Sequence, residues 1–105
     1  MATNKRLEML EKLARAASID SFGLYALAME YRKEGRPSDA LATFETLRAR
    51  DPDYLPMYLM AGQVLADENR ATEARSWLET GIVIATRKGD GKTRSELADA
   101  LDACD

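Results

Sequence analysis

Residues 24–52 read LYALAMEYRKEGRPSDALATFETLRARDP, and residues 58–86 read YLMAGQVLADENRATEARSWLETGIVIAT. Written one above the other, the two stretches share Glu34/Glu68, Arg36/Arg70, Ala40/Ala74, Glu45/Glu79 and Thr46/Thr80 at an offset of 34 residues. Conservative matches lie between these identities: Ala28 with Gly62, Ser38 with Thr72, Asp39 with Glu73 and Phe44 with Leu78. Each stretch has a breaker at its middle, and apolar residues recur on either side at three- and four-residue intervals, the spacing of one face of a helix. No segment alternates as a strand would. Each stretch is therefore a helical hairpin, and the chain is all-α with two such hairpins in tandem.

Outward from the hairpins, the same periodicity continues. Residues 4–17 place Leu7, Leu10, Leu13, Ala14 and Ala17 on one stripe, and Glu8/Lys12 and Glu11/Arg15 form i,i+4 pairs in the favourable order. Thr3 is the expected N-cap, and the helix should end near Ser18. Asp20 or Ser21 caps a second helix that runs to about Glu34, where Gly35 suits a left-handed C′ position. Pro37 opens a third helix, its missing N–H harmless in the first turn. Asp51-Pro52-Asp53 closes it near Arg50. A fourth helix over about 54–68, a fifth over 71–87 and a sixth over 93–104 complete the chain. Thr-Arg-Ser-Glu (93–96) reads as a capping box for the last.

Small residues at Ala28, Ala40, Gly62 and Ala74, large ones at Tyr31, Phe44, Leu65 and Leu78, and Pro52 together resemble the tetratricopeptide repeat. That family's pattern is W-x2-L-G-x2-Y, then A-x3-F, then P. The first unit gives Leu24, Leu27, Ala28, Tyr31, Ala40, Phe44 and Pro52. The second gives Tyr58, Ala61, Gly62, Leu65, Ala74 and Leu78. Leu24 and Tyr58 replace the usual tryptophan. Gly81 is the second unit's small residue near its end, and Thr86 stands in for its terminal proline, so the fifth helix should run longer. The resemblance implies a short right-handed solenoid of about six helices forming one domain, residues 1–105. Residues 4–18 would be the second half of an incomplete repeat, 21–54 and 55–88 the two full repeats, and 93–104 a capping helix.

Composition narrows the chemistry. The 105 residues carry 18 acidic and 15 basic side chains, net charge −3, with no histidine. That balance lacks the basic field nucleic acid requires, so no nucleic-acid partner is expected. No apolar run is long enough to cross a bilayer, and no signal peptide is visible, so no membrane partner is expected either. Without histidine, acid–base and nucleophilic catalysis lose their commonest member. The expectation is no catalytic residue, no metal site and no cofactor. Cys104, the single cysteine, reads as a small buried hydrophobe, and one thiol fits a reducing, cytoplasmic location. Gly89-Asp90-Gly91-Lys92-Thr93 resembles a phosphate loop only in part, because Thr86 occupies the required first glycine and no strand precedes it. The cluster Glu30-Tyr31-Arg32-Lys33-Glu34 reads as a solvated helix face.

In members of the resembled family, the first helix of each hairpin lines a concave face. The resemblance implies that Tyr25, Met29 and Arg32 face it beside Leu59, Met60 and Gln63. Family members that bind chaperones hold a carboxylate with a lysine–asparagine–arginine clamp. The matching places here are Tyr25, Met29, Met60, Asp90 and Arg94, of which only Arg94 fits. An adaptor or scaffold binding a peptide or helix of a protein partner is the leading expectation, with Tyr25 as anchor and Arg32 and Lys33 at one rim. The alternative is a self-assembling homodimer whose groove is filled by its own chain or by a second copy.

Overall fold

In the computed structural model, residues 3–104 are described, and among them the chain forms six helices and no strand. They are α1 (Lys5–Arg15), α2 (Ser21–Lys33), α3 (Pro37–Arg50), α4 (Pro56–Asp67), α5 (Ala71–Lys88) and α6 (Gly91–Asp102).

Local chemistry accounts for their ends. Asp20 Oδ1 accepts the Gly23 amide at 2.8 Å and opens α2. Gly35 (φ 71°) follows α2 and Gly89 (φ 72°) closes α5, both in the left-handed region where the absence of a Cβ removes the steric penalty. Asn69 (φ 60°) takes the place of Gly35 in the second hairpin. Two expected caps are corrected. Asn4, not Thr3, starts α1: its Oδ1 accepts the Leu7 amide at 3.0 Å, and its Nδ2 donates to Glu34 at 2.6 Å. Asp90, not Thr93, starts α6, accepting the Thr93 amide at 3.0 Å and the Thr93 hydroxyl at 2.7 Å. A carboxylate complements the helix N-terminus better than a hydroxyl. These two bonds, with Lys92 and Lys88 nearby, hold the Asp90 carboxyl below its ordinary value.

Contacts cluster into two compact units, one extending to Pro52 and one starting at Asp53. In the first unit α2 packs along α3, and α1 packs on α2. Leu7, Leu10, Leu24, Leu27, Phe44 and Leu47 are its core. The stripe expected on α1 is shorter than read: Ala17 has left the helix (φ 53°), and Leu13 is exposed. In the second unit α4 packs along α5, and α6 packs on both, sealing Leu97 completely.

The small residues do what their size suggests. A Cβ on Gly62 would lie 2.5 Å from Leu78 Cδ2, so only glycine lets α4 approach α5 this closely. Ala28, Ala40 and Ala74 are completely buried. At Gly81 a Cβ would lie 2.7 Å from Tyr58 Cβ and 3.0 Å from Leu97 Cδ2. Glycine here, where the first repeat has Leu47, thus makes room for α6 as well as α4. α5 has 18 residues against 14 in α3, as the missing proline implied.

Candidate interaction face on α2

The cluster at residues 30–34, read as solvated, is partly tied down instead. Arg6 Nε of α1 pairs with Glu30 Oε1 at 3.0 Å, and Asn4 Nδ2 donates to Glu30 Oε2 at 3.3 Å. The Tyr31 hydroxyl donates to Glu11 Oε2 at 2.7 Å, and the Arg36 guanidinium sits 4.6 Å above the Tyr31 ring. Burial, then the Glu11 hydrogen bond and charge, push the Tyr31 phenol up to about 12. These bonds fix α1 against the C-terminal half of α2.

Beside this joint, a hollow of about 370 Å³ opens along α2, lined by Arg6, Phe22, Tyr25, Ala26, Met29, Glu30 and Lys33. The six α2 residues follow i, i+3/i+4 spacing and so form one face of the helix. The Tyr25 ring leans on Phe44 of α3, with centroids 6.3 Å apart at 57°, which holds it in place. Phe22 is 66% exposed, large for an aromatic side chain on a small unit. Glu30 is neutralised by Arg6, so the wall is apolar with cations at its edge. Such a surface suits an apolar side chain of a partner. A smaller hollow of about 280 Å³ lies between α1 and α3 over Leu24, Leu27 and Tyr31.

Of the expected partner-binding residues, the structure gathers Tyr25 and Met29 in one hollow, with Lys33 at its edge. Arg32, half-buried on the same helix, does not line it. Leu59, Met60 and Gln63 are half-buried on α4 of the second unit. Phe22, Ala26 and Arg6 were not singled out by the sequence, and Glu30 was read only as part of a solvated face. An aromatic residue in the first turn of α2 was the available signal for Phe22; Arg6 and Glu30 meet only through folding. Among the described residues no group of three or more histidine, cysteine, aspartate or glutamate side chains could hold a metal ion. No described helix is long and apolar enough to cross a membrane. Cys104 is buried, and its carbonyl accepts a hydrogen bond from Arg75.

A family model described as tetratricopeptide repeat matches residues 25–88. The chain belongs to the tetratricopeptide repeat family. The crystal structure of a tetratricopeptide repeat domain protein from Salinibacter ruber is 38% identical, with a TM-score of 0.77, covering 82% of this chain and 96% of that one. A solution structure with the same description and organism gives 38% identity and a TM-score of 0.78 over 82% and 87%. A Bordetella parapertussis protein, 22% identical, matches at a TM-score of 0.83 over 97% and 89%, a likeness of fold alone. No curated protein matches the chain. Tetratricopeptide repeats generally mediate protein–protein interaction and are generally not catalytic.

Proposed function

We propose that this tetratricopeptide repeat protein is an adaptor or scaffold that takes a peptide or helix of a protein partner against the apolar face of α2. The observation that carries the reading is the hollow itself: Phe22, Tyr25 and Met29 aligned on one helix face, with Tyr25 braced by Phe44 and Lys33 at the edge. Aromatic anchors held in one rotamer lose little entropy on binding and dominate interface energetics. Arg32 beside this face would contribute a polar contact. Leu59 and Gln63 hold, at the repeat offset, the α4 positions that Tyr25 and Met29 hold on α2, and Met60 holds that of Ala26. They are proposed as a further contact surface for the same class of partner.

The reading takes residues 1–105 as one repeat domain acting without catalysis. A buried single thiol is compatible with a reducing, cytoplasmic compartment. The test is affinity capture from native cytoplasm, comparing the protein with a Tyr25→Ala, Met29→Ala variant. A specific protein retained by the first and reduced at least tenfold by the second supports the face. Equal capture by both removes it.

A further inference from the structure

Offset by 34 residues, Arg6, Met9, Leu10 and Leu13 of α1 stand where α3 has Ala40, Thr43, Phe44 and Leu47. One repeat further on, α5 has Ala74, Trp77, Leu78 and Gly81 at those places. All eight residues on α3 and α5 are buried, each helix being covered by the first helix of its hairpin. Of the four on α1 only Leu10 is buried; Met9 is 57% and Leu13 38% exposed. Among the described residues, no helix covers the strip of α1 that corresponds to the one a first helix covers on α3 and α5. Arg6, Met9 and Leu13 are spaced i, i+3, i+7 and share one face, and Arg6 also lines the hollow with Phe22 and Tyr25. Arg6 thus joins the strip on α1 to the face of α2, and the two are taken together as one seat.

The rim of that seat is basic in an otherwise acidic chain. Lys5 and Lys12 flank Met9 on the outer side of α1, and Lys33 stands at the end of the hollow. Among the described residues none of these three ammonium groups has an ion-pair partner, and the Glu8/Lys12 pair expected from the sequence is not formed. Glu30 is taken by Arg6 and Asn4. Glu8, three residues from Lys5 and four from Lys12, offsets part of this charge but lies about a quarter turn from Met9, so the rim keeps a net positive charge. We propose that the seat takes an amphipathic helix of another polypeptide, apolar along one face and flanked by carboxylates, which completes the hairpin on α1 as α2 completes that on α3. This rests on the interaction reading above and extends it from α2 onto α1. Arg6 stands where Ala40 and Ala74 do, so the incoming helix is held further off at that end and meets a guanidinium there. A second copy of the chain fits less well, since two-fold pairing of this face sets the two lysine rims against each other.

The probe is an end-capped, fluorescein-labelled synthetic helix with leucines at i, i+3, i+4, i+7 and i+11 and glutamates on its flanks. The control is the same peptide with lysine for every glutamate. Anisotropy titration at low salt is expected to show the glutamate peptide binding, and the lysine peptide binding at least about tenfold more weakly. Met9→Ser with Leu13→Ser should weaken the glutamate peptide about tenfold, and Lys12→Glu should narrow the gap between the two peptides. All three positions are exposed, so unchanged circular dichroism will certify the fold. Failure of the glutamate peptide to bind, or equal binding of the two peptides, overturns the proposal. So does a Met9→Ser, Leu13→Ser variant that binds normally. If that last result accompanies loss of binding in Tyr25→Ala, Met29→Ala, the α2 reading survives; if neither pair matters, both fall. A concentration-dependent dimer in light scattering that the α1 pair abolishes overturns the proposal in favour of a second copy.

Discussion

Substituting Gly62 by alanine tests the close packing of α4 on α5. Two opposing effects act. In a helix interior alanine is favoured over glycine by about 0.8–1.0 kcal/mol, so the change taken alone is stabilising. Against this, the new methyl group would sit 2.5 Å from Leu78 Cδ2 and 2.7 Å from Leu78 Cγ. Contact with Cγ means that a terminal rotation of the leucine does not clear the clash. Leu78 is essentially sealed, so it has nowhere to withdraw without moving its neighbours. Overpacking of this kind costs about 1–3 kcal/mol, and the geometry places it in the upper part of that range. The net expectation is a loss of about 1–2 kcal/mol, or roughly 5–10 °C in Tm. Thermal and urea denaturation followed at 222 nm measure it. Gly91→Ala is the control, because a Cβ there meets nothing within 4 Å; its Tm should hold or rise slightly. In Gly62→Ala, Leu78→Ala the added methyl lies in the space the leucine vacates, so the pair should cost less than the sum of the single changes. A Gly62→Ala protein that melts higher than the parent would refute the reasoning.

Three further outcomes follow from the same structure. The Tyr31 phenol is raised to about 12 from 10.0, so between those values the folded state holds a proton that the unfolded state has lost. Stability should therefore be full below pH 10 and fall as pH rises toward 12, and Tyr31→Phe should flatten that alkaline limb in a denaturation series. The Asp90 carboxyl is lowered, so its contribution is present above 3.8 and should disappear as pH falls through its folded value; Asp90→Asn should blunt the acid limb. Asp20→Ala removes the acceptor of the Gly23 amide and should cost about 1 kcal/mol in urea melts.

The helices were legible because their signals are local. Gly35, Pro37, Asp51-Pro52 and Gly89 act on their own backbone, and Ala28, Ala40, Gly62 and Ala74 show where helices touch. What the sequence hid depends on partners distant along the chain. Asn4 displaced Thr3 as cap while also reaching Glu34, thirty residues on. Asp90 displaced Thr93 because a carboxylate three residues upstream offered both its oxygens. Within the site, Tyr25, Met29 and Lys33 follow from helical spacing and the family's pattern. Arg6 and Glu30 become neighbours only when α1 folds onto α2. The exposure of Leu13 is invisible to periodicity, which assigns it to a buried stripe, and the strip it forms with Met9 shows only when α1 is set beside α3 and α5 at the repeat offset.

The central claim, that a protein partner docks on the α2 face, is tested most directly by placing a photo-crosslinking phenylalanine analogue at position 22. The same analogue at Val83, an exposed apolar residue of α5, serves as reference. Irradiation in the cell of origin, followed by mass spectrometry, reads the adducts. The account predicts one protein species joined to position 22, absent from position 83 and lost when Tyr25→Ala and Met29→Ala are added. No adduct at position 22, or the same set of adducts at both positions, would contradict it.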